Sequence, residues 1–205
     1  MTSKLKTDVL ETVSGSGTIA LTNQLSGMTT ASLPALGSAQ MPSGSVLQVT
    51  NNARTHHDQI STTSQTMVDS GLVTGAITPV SSGSKIAVNI SGFITHTNGT
   101  NGNYGVVFQM FKSVNGGTYV KVTAGDLDGG SFDSTSVTGW YDQNGGTCSV
   151  FDTPSYTLGQ TINYKLYFRE DHSNTNGAYI NHQGGVLQNG AIDITSSITM
   201  TEIKG

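Results

Sequence analysis

The stretch Ile77–Phe93 reads ITPVSSGSKIAVNISGF. Within Lys85–Ile94 the apolar Ile86, Val88, Ile90 and Ile94 alternate with Ala87, Asn89 and Ser91. Successive side chains leave a strand on opposite faces, so a period of two marks a half-buried strand. Pro79 and the run Ser81-Ser82-Gly83-Ser84 carry turn chemistry. The stretch therefore reads as a strand end, a turn and then a central strand: a hairpin around which the rest of the chain is added.

Working outward, Ser45–Thr50 alternates as a strand, and the polar Asn51–Gln65 reads as a long loop. Met67–Ile77 reads as one strand bulged at Gly71 or as two short ones. Tyr104–Val114 and Thr118–Val122 form a hairpin around Asn115-Gly116-Gly117, since Asn-Gly favours the tight turns that match strand twist. Asn98-Gly99 and Asn101-Gly102 mark a turn within Thr95–Asn103. Val137–Tyr141 and Thr147–Phe151 read as another hairpin, around Asn144-Gly145-Gly146. Thr161–Arg169 is a second central strand, with Ile162, Tyr164, Leu166 and Phe168 on one face. Ala178–Asn181 and Ala191–Ile203 are further strands. These make about eight to ten short strands at the spacing of a β-sandwich or jelly roll, with no helix.

Composition agrees. The chain has 205 residues, of which 11% are charged, with 26 Gly and a formal net charge of -4. Low charge, many glycines and many β-branched residues suit sheets joined by turns. The nine basic residues are scattered, so no stripe neutralises phosphates, and nucleic acid is not an expected partner. Cys148 is the sole cysteine, which excludes an intrachain disulfide. Met1–Leu10 has no apolar run of the secretory kind, and no stretch approaches the ~20 apolar residues of a membrane span, so no membrane partner is expected. Residues 1–40 stand apart from residues 41–205: Ser26–Gln40 is a Gly/Ser/Thr/Ala stretch that cannot bury enough apolar surface by itself.

Four segments carry a resemblance: MPSGSVLQV (Met41–Val49), Ile77–Phe93, TINYKLYFRE (Thr161–Glu170) and SSITMTEIKG (Ser196–Gly205). With them, Met41–Gly205 resembles the C-terminal jelly-roll domain of virion fibre proteins of tailed bacteriophages of the marine type. KLKTDVLETVSGSGTIAL (Lys4–Leu21) is similar to the particle-proximal segment that precedes such domains. The resemblance implies an all-β fold, an antiparallel jelly-roll β-sandwich at 41–205 preceded by an extended attachment or stem segment at 1–40. It further implies a homotrimer located in the virion, a structural protein without enzymatic activity whose residues 1–40 contact another virion protein. Its knob would serve host attachment, to a surface glycan or protein, as a short tail fibre or spike. The alternatives are a capsid or tail decoration protein and, behind it, a polysaccharide-degrading enzyme. The chain is short for a long tail fibre. In a trimer Ile19, Leu21, Leu25, Met28 and Leu33 would bury one another.

Candidate chemistry is thin. His56-His57-Asp58 offers metal or catalytic side chains but reads first as a solvated loop, since zinc needs three or four convergent ligands. Asp126-Leu127-Asp128-Gly129, with Asp133 nearby, opens like a calcium loop and lacks the distal Glu. No metal and no cofactor are expected. Glu11, Glu170 and Glu202 are the only Glu residues, a poor supply for the two carboxylates of a glycosidase. Ser14-Gly15-Ser16-Gly17 lacks the strand–helix context of a nucleophile elbow, and Cys148 reads as a buried apolar residue. No catalytic residues are assigned. Trp140, Tyr141 and Tyr179, with Asn174, Asn176 and His182, have the composition of a glycan platform, although Trp140 reads first as core or subunit interface. The expected display loops are Asn51–Gln65, Thr95–Asn103, Ala124–Ser136 and Asp171–Gln183.

Overall fold

The computed structural model describes residues 37–56, 60–97, 106–122, 144–170, 178–180 and 194–205, with the backbone alone for His56, 94–97 and 144–145. Among these residues there is no helix. Eleven strands are found: β1 (Val46–His56), β2 (Ile60–Thr62), β3 (Val68–Asp69), β4 (Gly75–Ile77), β5 (Lys85–Thr97), β6 (Val106–Val114), β7 (Val120–Lys121), β8 (Asn144–Asp152), β9 (Ile162–Glu170), β10 (Ala178–Ile180) and β11 (Ile194–Ile203). They form two antiparallel sheets within the unit Ser38–Gly205.

The strands collapse into fewer columns than their number suggests. Thr95 of β5 faces Asn144 of β8 on one side and Ile180 of β10 on the other. β10 therefore continues the β11 column, and β2 beside it continues the β1 column. The first sheet is then four columns wide, in the order β1/β2, β11/β10, β5, β8. β3 and β4 pair successive parts of one edge of β9, giving the second sheet the order β3/β4, β9, β6, β7.

Alternation builds the core. Ile86, Val88 and Ile90 of β5 face Ile162, Tyr164, Leu166 and Phe168 of β9 and Phe108 and Met110 of β6 in one cluster. The four inward apolar residues of β9 have no exposed surface, as their spacing predicts. Phe93 and Phe108 meet edge to face across the sheets, with centroids 5.2 Å apart. Strict alternation would turn Phe93 outward. A bulge at Gly92, with φ of 77°, resets the phase and buries it. The expected inward Ile94 has no described side chain, and Phe93 fills the core there.

Three expectations are corrected. Ile77 and Lys85 do not flank a hairpin, because β4 belongs to the second sheet and β5 to the first, so the turn crosses between sheets. Much of Asn51–Gln65 is strand and not loop: β1 continues to His56 and β2 follows at Ile60–Thr62. The reason is a polar zipper. Gln48 Nε2, Thr50 Oγ1, Asn52 Nδ2 and Arg54 donate to the carbonyls of Thr78 (2.8 Å), Ala76 (3.4 Å), Thr74 (2.9 Å) and Gly71 (2.8 Å). On the other face Asn51 donates to Thr199 Oγ1 and Thr55 pairs with Thr195. With both faces polar from Asn51 onward, the second half of the strand has no apolar period to read.

The third correction concerns Asn144-Gly145-Gly146, which is strand and not turn. Gly146 lies opposite Phe93, and a Cβ there would enter the buried ring. Its glycine makes room; it does not bend the chain. Gly146→Ala is expected to cost about 1–3 kcal/mol through overpacking, read as a lower denaturant midpoint with an unchanged slope. By contrast Asn115 (φ 51°) and Gly116 (φ 75°) do form the expected tight turn between β6 and β7, closed by Gly117 N–H on Val114 O at 3.0 Å. Met67–Ile77 holds two short strands, with Gly71 between them at φ 61°.

Candidate functional site

Of the expected platform, only Tyr179 lies among the described residues. It is half-buried in β10, in register with Ser61 and His96. Trp140, Tyr141, Asn174, Asn176 and His182 lie outside them, as do His57, Asp58, Asp126, Asp128, Asp133, Glu11, Ser14–Gly17 and the stem residues. Among the described residues no three His, Cys, Asp or Glu gather as metal ligands would. Glu170 and Glu202 are buried, with 1% and 0% of their surface exposed. Three expected display segments are partly strand: Asn51–His56 and Ile60–Thr62 belong to β1 and β2, Thr95–Thr97 to β5 and Ala178–Ile180 to β10.

The surface feature that the strands do build is the outer face of the first sheet. Register places Thr201, Ala87 and Phe151 in one row across β11, β5 and β8, and Thr199, Asn89 and Ser149 in the next. These six residues, with Val88 and Val150, line a groove of about 310 Å³. Phe151 is 72% exposed and stands at the β8 side, since Cys148 and Val150 turn into the core and leave it in the outward phase. Asn89 Nδ2 donates to Ser149 Oγ at 2.6 Å, and Asn51 Nδ2 donates to Thr199 Oγ1 at 2.8 Å. Each hydroxyl so engaged as an acceptor keeps its own hydrogen to donate. No lining residue carries a formal charge.

The outer face of the second sheet carries an aromatic cluster. Phe111 and Tyr167 stack with centroids 4.1 Å apart, Tyr119 tilts against Tyr167 at 6.1 Å, and Lys165 Nζ sits 5.1 Å from the Tyr119 ring centre. Lys165 also pairs with Asp69 at 2.8 Å. These faces are already engaged with one another, and among the described residues Phe151 is the aromatic ring left exposed. The sequence signal for both features was the same: an aromatic out of phase with the buried alternation, as Tyr167 is in Tyr164–Phe168.

Electrostatics add a pH limit. Burial pushes the Cys148 thiol up to about 11 from its ordinary 9.0. Burial, and then the neighbouring Asp152 carboxylate, raise Tyr164 far above the ordinary phenol value of 10.0. Burial also raises Tyr119 and Tyr167, and the hydrogen bond to Asp69 raises Lys165. All five groups hold their protons more tightly when folded. Their contribution is therefore complete below the unfolded values and is lost as pH rises beyond them. We predict progressive loss of stability as pH rises above about 9, followed by circular dichroism, with Tyr164 ionising in ultraviolet difference spectra only as the fold opens. Cys148 should resist thiol reagents until the same transition.

No family model matches the chain, and no curated protein matches it. Among solved structures it is similar to a chain of the infectious bursal disease virus Gx strain, at 14% identity and a TM-score of 0.34, over 84% of this chain and 45% of that one. A chain of the Gt strain of the same virus matches at 12% identity and a TM-score of 0.28, with the same coverage. The protein thus spans less than half the length of these chains. Likeness at this level carries no argument about function.

Proposed function

We propose that this chain is a virion structural protein of a tailed bacteriophage, a short tail fibre or spike, with a jelly-roll knob and no enzymatic activity. The observation that supports the reading is the column order. Followed along the chain, the columns number one to eight; the first sheet then reads one, eight, three, six and the second two, seven, four, five. A jelly roll wound from two Greek keys has this order. Jelly rolls serve virus shells and lectins alike, and a fold does not choose its function. The resemblance of Met41–Gly205 to phage fibre knobs is what favours the fibre among these roles.

In this reading residues 1–40 dock on another virion protein and wind with two further copies into a stem. Three knobs per trimer then hold a host-surface glycan or protein by many weak contacts, with avidity set by effective concentration.

The test is electron microscopy of purified particles of the encoding virus with gold-labelled antibodies against residues 41–205. Label at the tail tip is expected. Label over the capsid would move the protein to a head-decoration role. Absence of the chain from purified particles would overturn the virion reading altogether.

A further inference from the structure

We infer that the groove beside Phe151 is a binding site for a neutral saccharide. The inference deepens the proposed adhesion and rests on it for biological meaning, but its physical case is separate. Three observations carry it, and each narrows the ligand.

The groove has the size and shape for a small ligand. At about 310 Å³ it lies at the lower limit of ligand pockets, roughly 300–1,000 Å³. It sits on three hydrogen-bonded strands, β11, β5 and β8, and not on loops, so its lining is held by the ladder beneath. Sites on rigid elements hold their geometry better than sites on loops.

The lining offers what a sugar ring needs. A saccharide has an apolar face of C–H groups and a rim of hydroxyls. Phe151, 72% exposed at one side, supplies a ring for the C–H face. Asn89, Ser149, Thr199 and Thr201 supply amide and hydroxyl groups for the rim. Ser149 and Thr199 accept from Asn89 and Asn51, so each hydroxyl keeps its own hydrogen to donate to an incoming oxygen.

Charge excludes the alternatives. The two rows hold no formal charge, so an acidic sugar, a phosphate or a basic peptide finds no counter-ion in the groove. A second copy of this chain is also a poor occupant. The exposed apolar side chains Val49 and Phe151 lie at opposite ends of one row, Val49–Thr201–Ala87–Phe151. Three strand spacings, about 14 Å, separate them, so they make no continuous apolar patch of the kind a stable dimer buries.

The test is nuclear magnetic resonance of the full chain titrated with four neutral hexasaccharides, of glucose, mannose, galactose and N-acetylglucosamine, and with hexagalacturonate as the acidic probe. At least one neutral probe is expected to shift the amides of Ala87, Asn89, Ser149, Phe151, Thr199 and Thr201 together, and hexagalacturonate to leave them unmoved. Phe151→Ala should weaken that binding roughly tenfold or more, and Phe151→Trp should retain it. Because Phe151 is exposed, both variants should keep the parent melting temperature, so a folding defect would be visible as such. If none of the four neutral probes moves these amides, or if the acidic probe moves them equally, the inference fails. Shifts that depend on protein concentration without sugar would also overturn it, in favour of a second copy. Saccharide binding by a chain absent from virions would sink the virion reading and leave this site standing; a virion-borne chain that binds no saccharide would do the reverse.

Discussion

Replacing Glu202 by alanine should lower stability by about 3–5 kcal/mol, which corresponds to roughly 10 °C in melting temperature for a chain of this size. Glu202 is fully buried, yet among the described residues no lysine or arginine is a hydrogen-bond donor to it. Its carboxylate accepts from Gln48 Nε2 (2.6 Å), Ser84 Oγ (2.7 Å), the Val80 amide (3.0 Å) and the Ser81 amide (3.1 Å). Tyr156 completes the lock, accepting from the Ser84 amide at 3.0 Å and donating to Ser81 O. One carboxylate thus ties the turn that crosses from β4 to β5, the edge strand β1 and its own strand β11. Its loss leaves several donors unpaired inside the protein, and hydrogen bonds to charged groups are the costly ones to lose. Glu202→Gln keeps an acceptor oxygen but presents an NH₂ to backbone amides, so about half the cost should remain. Equilibrium urea unfolding of both variants checks this; a cost below about 1 kcal/mol for Glu202→Ala would mean the turn is held by other contacts.

The second large effect lies between the sheets at Lys112. Its ammonium reaches both oxygens of Asp152, at 2.6 and 2.8 Å, and Tyr164 donates to the same carboxylate at 2.8 Å. Asp152 is only 4% exposed. Lys112→Met strands a buried carboxylate and should cost about 3–5 kcal/mol. The apolar replacement of the whole group, Lys112→Met with Asp152→Leu and Tyr164→Phe, should recover most of that loss, because neither charge nor hydroxyl then remains to be satisfied. If the triple variant were no more stable than Lys112→Met, the triad would be stabilising in its own right.

These networks show what the sequence could disclose. β5, β9 and the β6–β7 turn were legible because apolar alternation and an Asn-Gly pair are local signals. Only the first half of β1 was legible, from the alternation in Ser45–Thr50; from Asn51 onward its order comes from side chains bonding to neighbours on both faces, and no apolar period accompanies that. Gly146 was misread because glycine serves a bend and a close approach equally well, and Phe93 lies far off in sequence. The alternation of β11 does place Glu202 on the core face, but its partners Gln48 and Ser84 lie 154 and 118 residues away. The groove was missed for a related reason: Phe151 gains meaning only when β11 and β5 bring Thr199, Thr201, Ala87 and Asn89 beside it. Five of the six residues expected to bind ligand lie outside the described strands, so the groove is a separate candidate and not a relocation of that platform.

The most direct measurement of the central claim, a trimeric virion protein displaying a β-sandwich knob, is the solution mass of the full chain by light scattering after size exclusion. The account predicts a stable species at three times the 21.3 kDa of one chain. A single species at 21.3 kDa across all concentrations would contradict it, and residues 1–40 would then not be a self-assembling stem.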